Sequence, residues 1–214
     1  MKVINLLAGG PKSEWPEQLI KGQIEGEFIG VDRGSLRLLE LGITPIVAVG
    51  DFDSVSNEEL KLIKQNVSKV VTSNPVKDYT DTQLAIQYVM KHFPGSQINI
   101  YGFSGGRLDQ LLTNLLMMNQ PDYREYVELI SLIDAHNYVS FYKPGKHQIA
   151  KIPEMKYLDF VNMEKTTLNL YDEKYTLDNF IVRYPTSFSS NEFVGEQGTF
   201  SFDNGILMVI QSRD

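Results

Sequence analysis

The sequence predicts two domains of different class: a three-layer α/β domain with a mainly parallel sheet over residues 1–135, and an all-β sandwich over 136–214. Three observations carry this prediction. Short apolar runs alternate with helical patterns as far as Asp134. One of them, Ile46-Val47-Ala48-Val49, is apolar without alternation, as a strand covered on both faces reads. Beyond Asp134 no helical period persists, and short β-type segments follow one another between turn signals.

In chain order, residues 3–8 form an apolar strand ending in Gly9-Gly10. The following Pro11-Lys12-Ser13 lacks the glycine before lysine that a Walker A loop needs, so that motif is excluded. Residues 28–31 are a second strand, ending in Asp32. Residues 33–41, with leucines at 36, 38, 39 and 41, read as a helix stopped by Gly42. The central strand runs into Gly50-Asp51-Phe52-Asp53-Ser54. With an extended backbone there, Asp51 and Asp53 point to one side and Phe52 into the core. Ser56 and Glu59 then form a capping box for a helix reaching about residue 65. Residues 70–72 are a fourth strand. Thr80-Asp81-Thr82-Gln83 is a second capping box, opening a helix with Leu84, Ala85, Tyr88 and Val89 on one face. Residues 98–101 are a fifth strand, and 102–106 a glycine-rich loop. Leu108, Leu111, Leu112, Leu115 and Leu116 fall at i, i+3, i+4, i+7 and i+8, which predicts an amphipathic helix packed on the core together with Met117 and Met118. Strands at 138–142, 157–161, 167–170, 198–202 and 206–210 follow, with turns at Pro144-Gly145 and Asp203-Asn204-Gly205.

Composition narrows the function classes. A net charge of −7 argues against a nucleic-acid or anionic-membrane surface. There is no cysteine, which excludes disulfides and thiolate metal sites and suits a reducing cytoplasm. No apolar run approaches the ~20 residues of a membrane helix, and no signal-peptide pattern opens the sequence, so a cytoplasmic location is expected. His92, His136 and His147 lack metal-binding spacing, and Gly102-Phe103-Ser104-Gly105 is not a nucleophile elbow.

Ligands of parallel α/β sheets bind outside the C-terminal ends of the strands. Gly9-Gly10, Asp32, Asp51 with Asp53, the 75–81 loop and Gly105-Gly106-Arg107 all follow strands, so all five are expected at one edge. Asp51, Asp53 and Asp81 there make an oxygen site suited to Mg2+ carrying a polyphosphate. The plainer alternatives are an acidic turn capping the next helix for the first two, and a helix-stabilising charge for Asp81. Lys77 and Asp78 lie in a loop within reach of phosphates. Arg107 opens a helix after two glycines, where backbone N–H groups and a guanidinium hold anionic oxygens, unless it is simply a surface arginine.

Gly50-Asp51-Phe52-Asp53-Ser54, Asp78-Tyr79-Thr80-Asp81 and Gly106-Arg107-Leu108-Asp109-Gln110, preceded by Val31-Asp32-Arg33-Gly34, together resemble the motif series of thiamine pyrophosphokinases. Lys174-Tyr175-Thr176-Leu177-Asp178-Asn179 and Ser190-Asn191-Glu192-Phe193 are similar to two stretches of that family's β domain, so the resemblance spans nearly the whole chain. It implies a homodimeric, Mg2+-dependent enzyme that moves the pyrophosphoryl group of ATP onto the hydroxyl of thiamine, releasing AMP. By matched position it implies Asp51, Asp53 and Asp81 as metal ligands. Gly9, Gly10, Asp32, Lys77, Arg107 and Asp109 would serve ATP, and Tyr175, Ser190 and Asn191 would serve thiamine between two subunits. Asp51 or Asp78 would accept the hydroxyl proton. Gln110 stands where many bacterial members have histidine, Thr176 replaces a common proline, and Arg33 a frequent glycine. Two rivals remain at this point: a diphosphokinase for another hydroxymethyl heterocycle such as a pterin, and a non-catalytic nucleotide or thiamine sensor.

Overall fold

The short, mostly apolar runs become parallel strands. In a computed structural model, which describes residues 1–72 and 78–214, β1 (Val3–Leu7), β2 (Glu27–Val31), β3 (Val47–Gly50), β4 (Val70–Thr72) and β5 (Gln97–Tyr101) take the order β5-β1-β2-β3-β4 with every pairing parallel. β6 (Ile130–Ile133) lies beside β5. The chain divides into two units, the first being Met1–Leu115 with Leu132–Ala135, the second Leu116–Ser131 with His136–Asp214.

Within the first unit the helices are α1 (Glu17–Ile20), α2 (Arg33–Glu40), α3 (Asn57–Asn66), α4 (Asp81–His92) and α5 (Leu108–Leu116), whose last residue belongs to the second unit. Both capping boxes form. Ser56 Oγ accepts the Glu59 N–H at 3.2 Å and Glu59 Oε2 accepts the Ser56 N–H at 2.7 Å. Thr80 and Gln83 repeat the exchange at 3.3 and 2.9 Å. Each box satisfies two orphan donors and fixes where its helix begins. Gly34 lets α2 sit on β1, since a Cβ there would fall 1.9 Å from the Leu7 carbonyl oxygen.

Two helix faces differ from expectation. α4 buries Ala85, Ile86 and Val89 with Thr82 and Gln83, while Leu84 and Tyr88 stay half-buried, so its inward face is turned by about one position. On α5 the leucine stripe is outward: Leu108, Leu112 and Leu116 are 68%, 46% and 40% exposed, and the residue buried on that helix is Asn114. Asn114 Nδ2 donates to the Phe103 carbonyl at 3.1 Å, which gives a buried amide its partner. Only Met117 and Met118 go inside as expected. The helical period is right, but Leu111 and Leu115 are only half-buried and the rest of the stripe stays in solvent.

The second unit is a β-sandwich. β7 (Asn137–Tyr142), β9 (Tyr157–Asn162), β14 (Leu207–Ser212) and β12 (Thr186–Glu192) form one antiparallel sheet in the order β12-β9-β14-β7, and β8 (Gly145–Ala150), β10 (Thr166–Leu170), β11 (Leu177–Val182) and β13 (Gln197–Phe202) form the other in the order β11-β10-β13-β8. Leu158, Phe160, Leu207 and Val209 of the first and Ile149, Leu168, Leu170, Val182, Phe200 and Phe202 of the second share one core, as face-to-face sheets do. β6, β8, β11 and β12 were not predicted. β8 and β11 each bury one residue and β12 buries only Asn191, so their alternation is faint in the sequence. Among the described residues no helix is long and apolar enough to cross a membrane.

Candidate functional site

Beyond the C-terminal ends of β1, β2, β3 and β5 lies a cavity of about 560 Å3 in the first unit. Gly9, Gly10, Asp32, Asp51, Asp53, Asp81 and Arg107 line it, together with Ser54, Ser104, Gln110 and Asn114, which the sequence did not mark as site residues. Asn114 had a signal, being a polar residue among leucines. Ser54 and Gln110 lie inside the motifs quoted above, and Ser104 had no signal as a site residue. Lys77 falls outside the described residues; Asp78 is exposed and does not line the cavity.

Three carboxylates meet there. Asp32, Asp51 and Asp53 each offer an oxygen within 4.8 Å of the others. The expected extended backbone is not how this happens. β3 stops at Gly50, and Phe52 takes a left-handed conformation, φ 60°, in which a side chain is rarely found. Its ring is buried with Leu36, Ala48, Ile63 and Val67, and that burial offsets the local strain. The turn leaves both acids on the cavity side, with the Asp53 N–H donating to Asp51 Oδ1 at 3.2 Å. Asp32 is itself left-handed, at φ 49°. Ser54 Oγ donates to its Oδ2 at 2.5 Å, and its Oδ1 is buried with no partner among the described residues. Arg33 braces the turn by donating to the Ser54 carbonyl at 2.6 Å.

The electrostatics follow from the crowding. The Asp51 charge, then desolvation and the Asp32 charge, push the Asp53 carboxyl above the usual carboxylate range, with a smaller push from Asp81. Carboxylates held together with one orphaned oxygen fit a hard cation with oxygen ligands. The cluster can therefore hold a metal ion.

Arg107 enters the cavity wall already paired. Its Nε and Nη2 donate to the two carboxylate oxygens of Asp109 at 3.1 and 2.5 Å. That bidentate bond raises the Arg107 pKa and holds the Asp109 carboxyl low. Asp109 does not line the cavity, so its effect there passes through Arg107.

The second unit carries the other expected residues. Asn191 is 3% exposed, and its amide serves the backbone of Tyr175: Oδ1 accepts the N–H of Tyr175 and of Glu192, and Nδ2 donates to the Tyr175 carbonyl, each at 2.9 Å. The expected direct contact from Asn191 to a ligand thus has a competitor in these bonds. The Tyr175 ring is 59% exposed, with Lys174 Nζ 5.5 Å from its centroid. Ser190 sits at φ 64° in a register shift between β12 and β9, its N–H donating to Asp159 Oδ1 at 2.5 Å. Beside them Glu173 is buried, and desolvation pushes its carboxyl up to about 7.

The description of the thiamin pyrophosphokinase catalytic domain matches residues 25–130, and that of the thiamin pyrophosphokinase vitamin B1 binding domain matches 146–207. Thiamine pyrophosphokinase of Bacillus subtilis (strain 168) is 36% identical over 217 residues, covering 100% of both chains. A solved structure from Lactobacillus plantarum superposes with a TM-score of 0.93 at 44% identity, covering 100% of each chain. That of a thiamin pyrophosphokinase family protein from Enterococcus faecalis does so with 0.93 at 39%, also over 100% of each.

Proposed function

The chain belongs to the thiamin pyrophosphokinase family, and from that premise we propose how its parts divide the reaction. It transfers the pyrophosphoryl group of ATP to the hydroxyl of thiamine, giving thiamine diphosphate and AMP. Residues 1–135 hold the nucleotide and residues 136–214 hold thiamine, in the cytoplasm. The observation that carries this reading is the cavity that joins three crowded carboxylates, a glycine loop and a bidentate-held arginine.

Asp51, Asp53 and Asp81, with the orphaned oxygen of Asp32, would hold Mg2+. Bound there, the ion neutralises polyphosphate charge and polarises phosphoryl oxygens. The Gly9-Gly10 loop, Lys77 and Arg107 orient the phosphates, and Asp109 keeps the Arg107 fork in plane. The thiamine hydroxyl attacks the β-phosphorus in line and AMP departs, so the protein's part is positioning and charge stabilisation. What supports Asp51 over Asp78 as proton acceptor is that Asp51 lines the cavity and Asp78 does not.

Tyr175 offers the exposed aromatic face that a cationic thiazolium and a flat pyrimidine both suit, with Ser190 beside it and Asn191 setting its backbone. Tyr175→Ala is expected to raise the thiamine dissociation constant ~10-fold, about 1 kcal/mol or more, and to leave ATP affinity unchanged. Titration calorimetry checks this, and unchanged thiamine binding would remove Tyr175 from the site.

A second copy of the chain completes the enzyme. The outward leucines of α5 support a homodimer, since a stripe of that size is normally covered. Sedimentation at micromolar concentration is expected to give twice the 24.3 kDa chain mass, and a lone 24.3 kDa species would contradict it.

A further inference from the structure

Two consecutive glycines make a poor wall unless something outside the cavity holds them. On the inner side the loop after β5 does so: the Ala8 N–H donates to the Tyr101 carbonyl at 2.9 Å and the Gly10 N–H to the Gly102 carbonyl at 2.8 Å. On the outer side the holder is Arg37. Its Nη1 donates to the Gly9 carbonyl at 2.7 Å and also to the Gly10 carbonyl. Trp15 Nε1 adds a third bond, to the Gly10 carbonyl at 3.2 Å, and the Arg37 guanidinium lies 5.7 Å from the centre of the Trp15 ring. Arg37 does not line the main cavity. It lines a separate one of about 130 Å3 with Lys12, Trp15, Glu40 and Leu41.

Resting on the nucleotide reading above, we propose that Arg37 is a positioning residue for ATP: from behind the loop it ties back the Gly9 and Gly10 carbonyls and sets the wall against which the polyphosphate binds. The physical reason is charge. A carbonyl oxygen turned toward a phosphate repels it, and a flexible glycine pair has no side chain to prevent that turn. A guanidinium bonded to both oxygens keeps their negative ends away and leaves a fixed positive charge behind the loop. The placement follows from α2. Arg33 and Arg37 are one turn apart and share a helix face, and each holds a backbone carbonyl of a loop that walls the cavity, Arg33 at Ser54 and Arg37 at Gly9 and Gly10. Burial and the Arg33 charge lower the Arg37 pKa from the usual guanidinium value.

The experiment is ATP binding with Mg2+ by calorimetry, together with steady-state kinetics, on the full chain and on Arg37→Met and Arg37→Lys. Arg37→Met is expected to raise the ATP dissociation constant and the KM for ATP by ~10-fold, since two charge-assisted bonds to the loop are lost. kcat, thiamine affinity and melting temperature stay near the parent values. Arg37→Lys, which keeps the charge but ends in an ammonium on a more flexible stem, falls between. Trp15, the only tryptophan, reports on the same loop, so its emission responds to ATP in the parent and less in Arg37→Met. Parent-like ATP affinity in both variants would overturn the proposal. So would equal loss of ATP and thiamine binding with a lowered melting temperature in both, which would make Arg37 a structural residue. A parent chain that binds no ATP would overturn the nucleotide reading itself, and this proposal with it.

Discussion

Asp53→Asn is expected to fold as the parent does and to lose turnover by ~10²-fold or more, the scale of removing one preorganised electrostatic contact to a transition state. Asp53 is exposed and closes no core contact, so its amide costs the fold little. Removing its charge relieves the repulsion from Asp51 that holds its own carboxyl above the ordinary range. The same change replaces one of the three carboxylates whose oxygens lie within 4.8 Å of one another, and a neutral amide binds a divalent cation far less well than a carboxylate. Asp51→Asn should behave alike. Kinetics across a Mg2+ titration, with melting temperature recorded beside them, check the pair. Near-parent turnover of a folded variant at saturating Mg2+ would remove the cluster from the chemistry.

Gly10→Ala should be almost as damaging, by a different route. A Cβ there would fall 2.4 Å from the Gly102 carbonyl oxygen and 2.6 Å from that of Ser104, and both obstacles are backbone. The loops after β1 and β5 must therefore separate. Forcing one carbon into a packed contact costs about 1–3 kcal/mol, or roughly 5–150-fold if that strain falls on nucleotide binding. Gly9 has nothing within 4 Å of its Cβ position, so Gly9→Ala separates no loops and should melt at the parent temperature, unlike Gly10→Ala. Equal ATP binding by Gly10→Ala and the parent would mean that the interlock does not shape the nucleotide site.

How far the sequence speaks for the structure depends on the range of the interaction. Both capping boxes are legible because each closes over four residues, and the parallel strands are legible because burial on two faces makes them mostly apolar, without a polar residue in β3. The leucine stripe of α5 is legible as a period, but a period carries no information about which surface covers it. β8 and β11 stay hidden because each buries a single side chain. At the site, Asp51 and Asp53 stand out by spacing, whereas their approach to Asp32 depends on β2 lying beside β3 and on a left-handed Phe52. No local pattern announces either. Arg37 and Asn114 act through backbone carbonyls far along the chain, 28 and 11 residues away, and partners at that distance become visible only in the fold.

The central claim is that this chain moves a pyrophosphoryl group rather than a single phosphoryl group, onto thiamine and from ATP. Product analysis by chromatography after incubation with ATP, Mg2+ and thiamine tests it most directly. The account predicts AMP and thiamine diphosphate in equal amounts, with no AMP when any one of the three components is left out. Formation of ADP with thiamine monophosphate, or of AMP without thiamine, would contradict it.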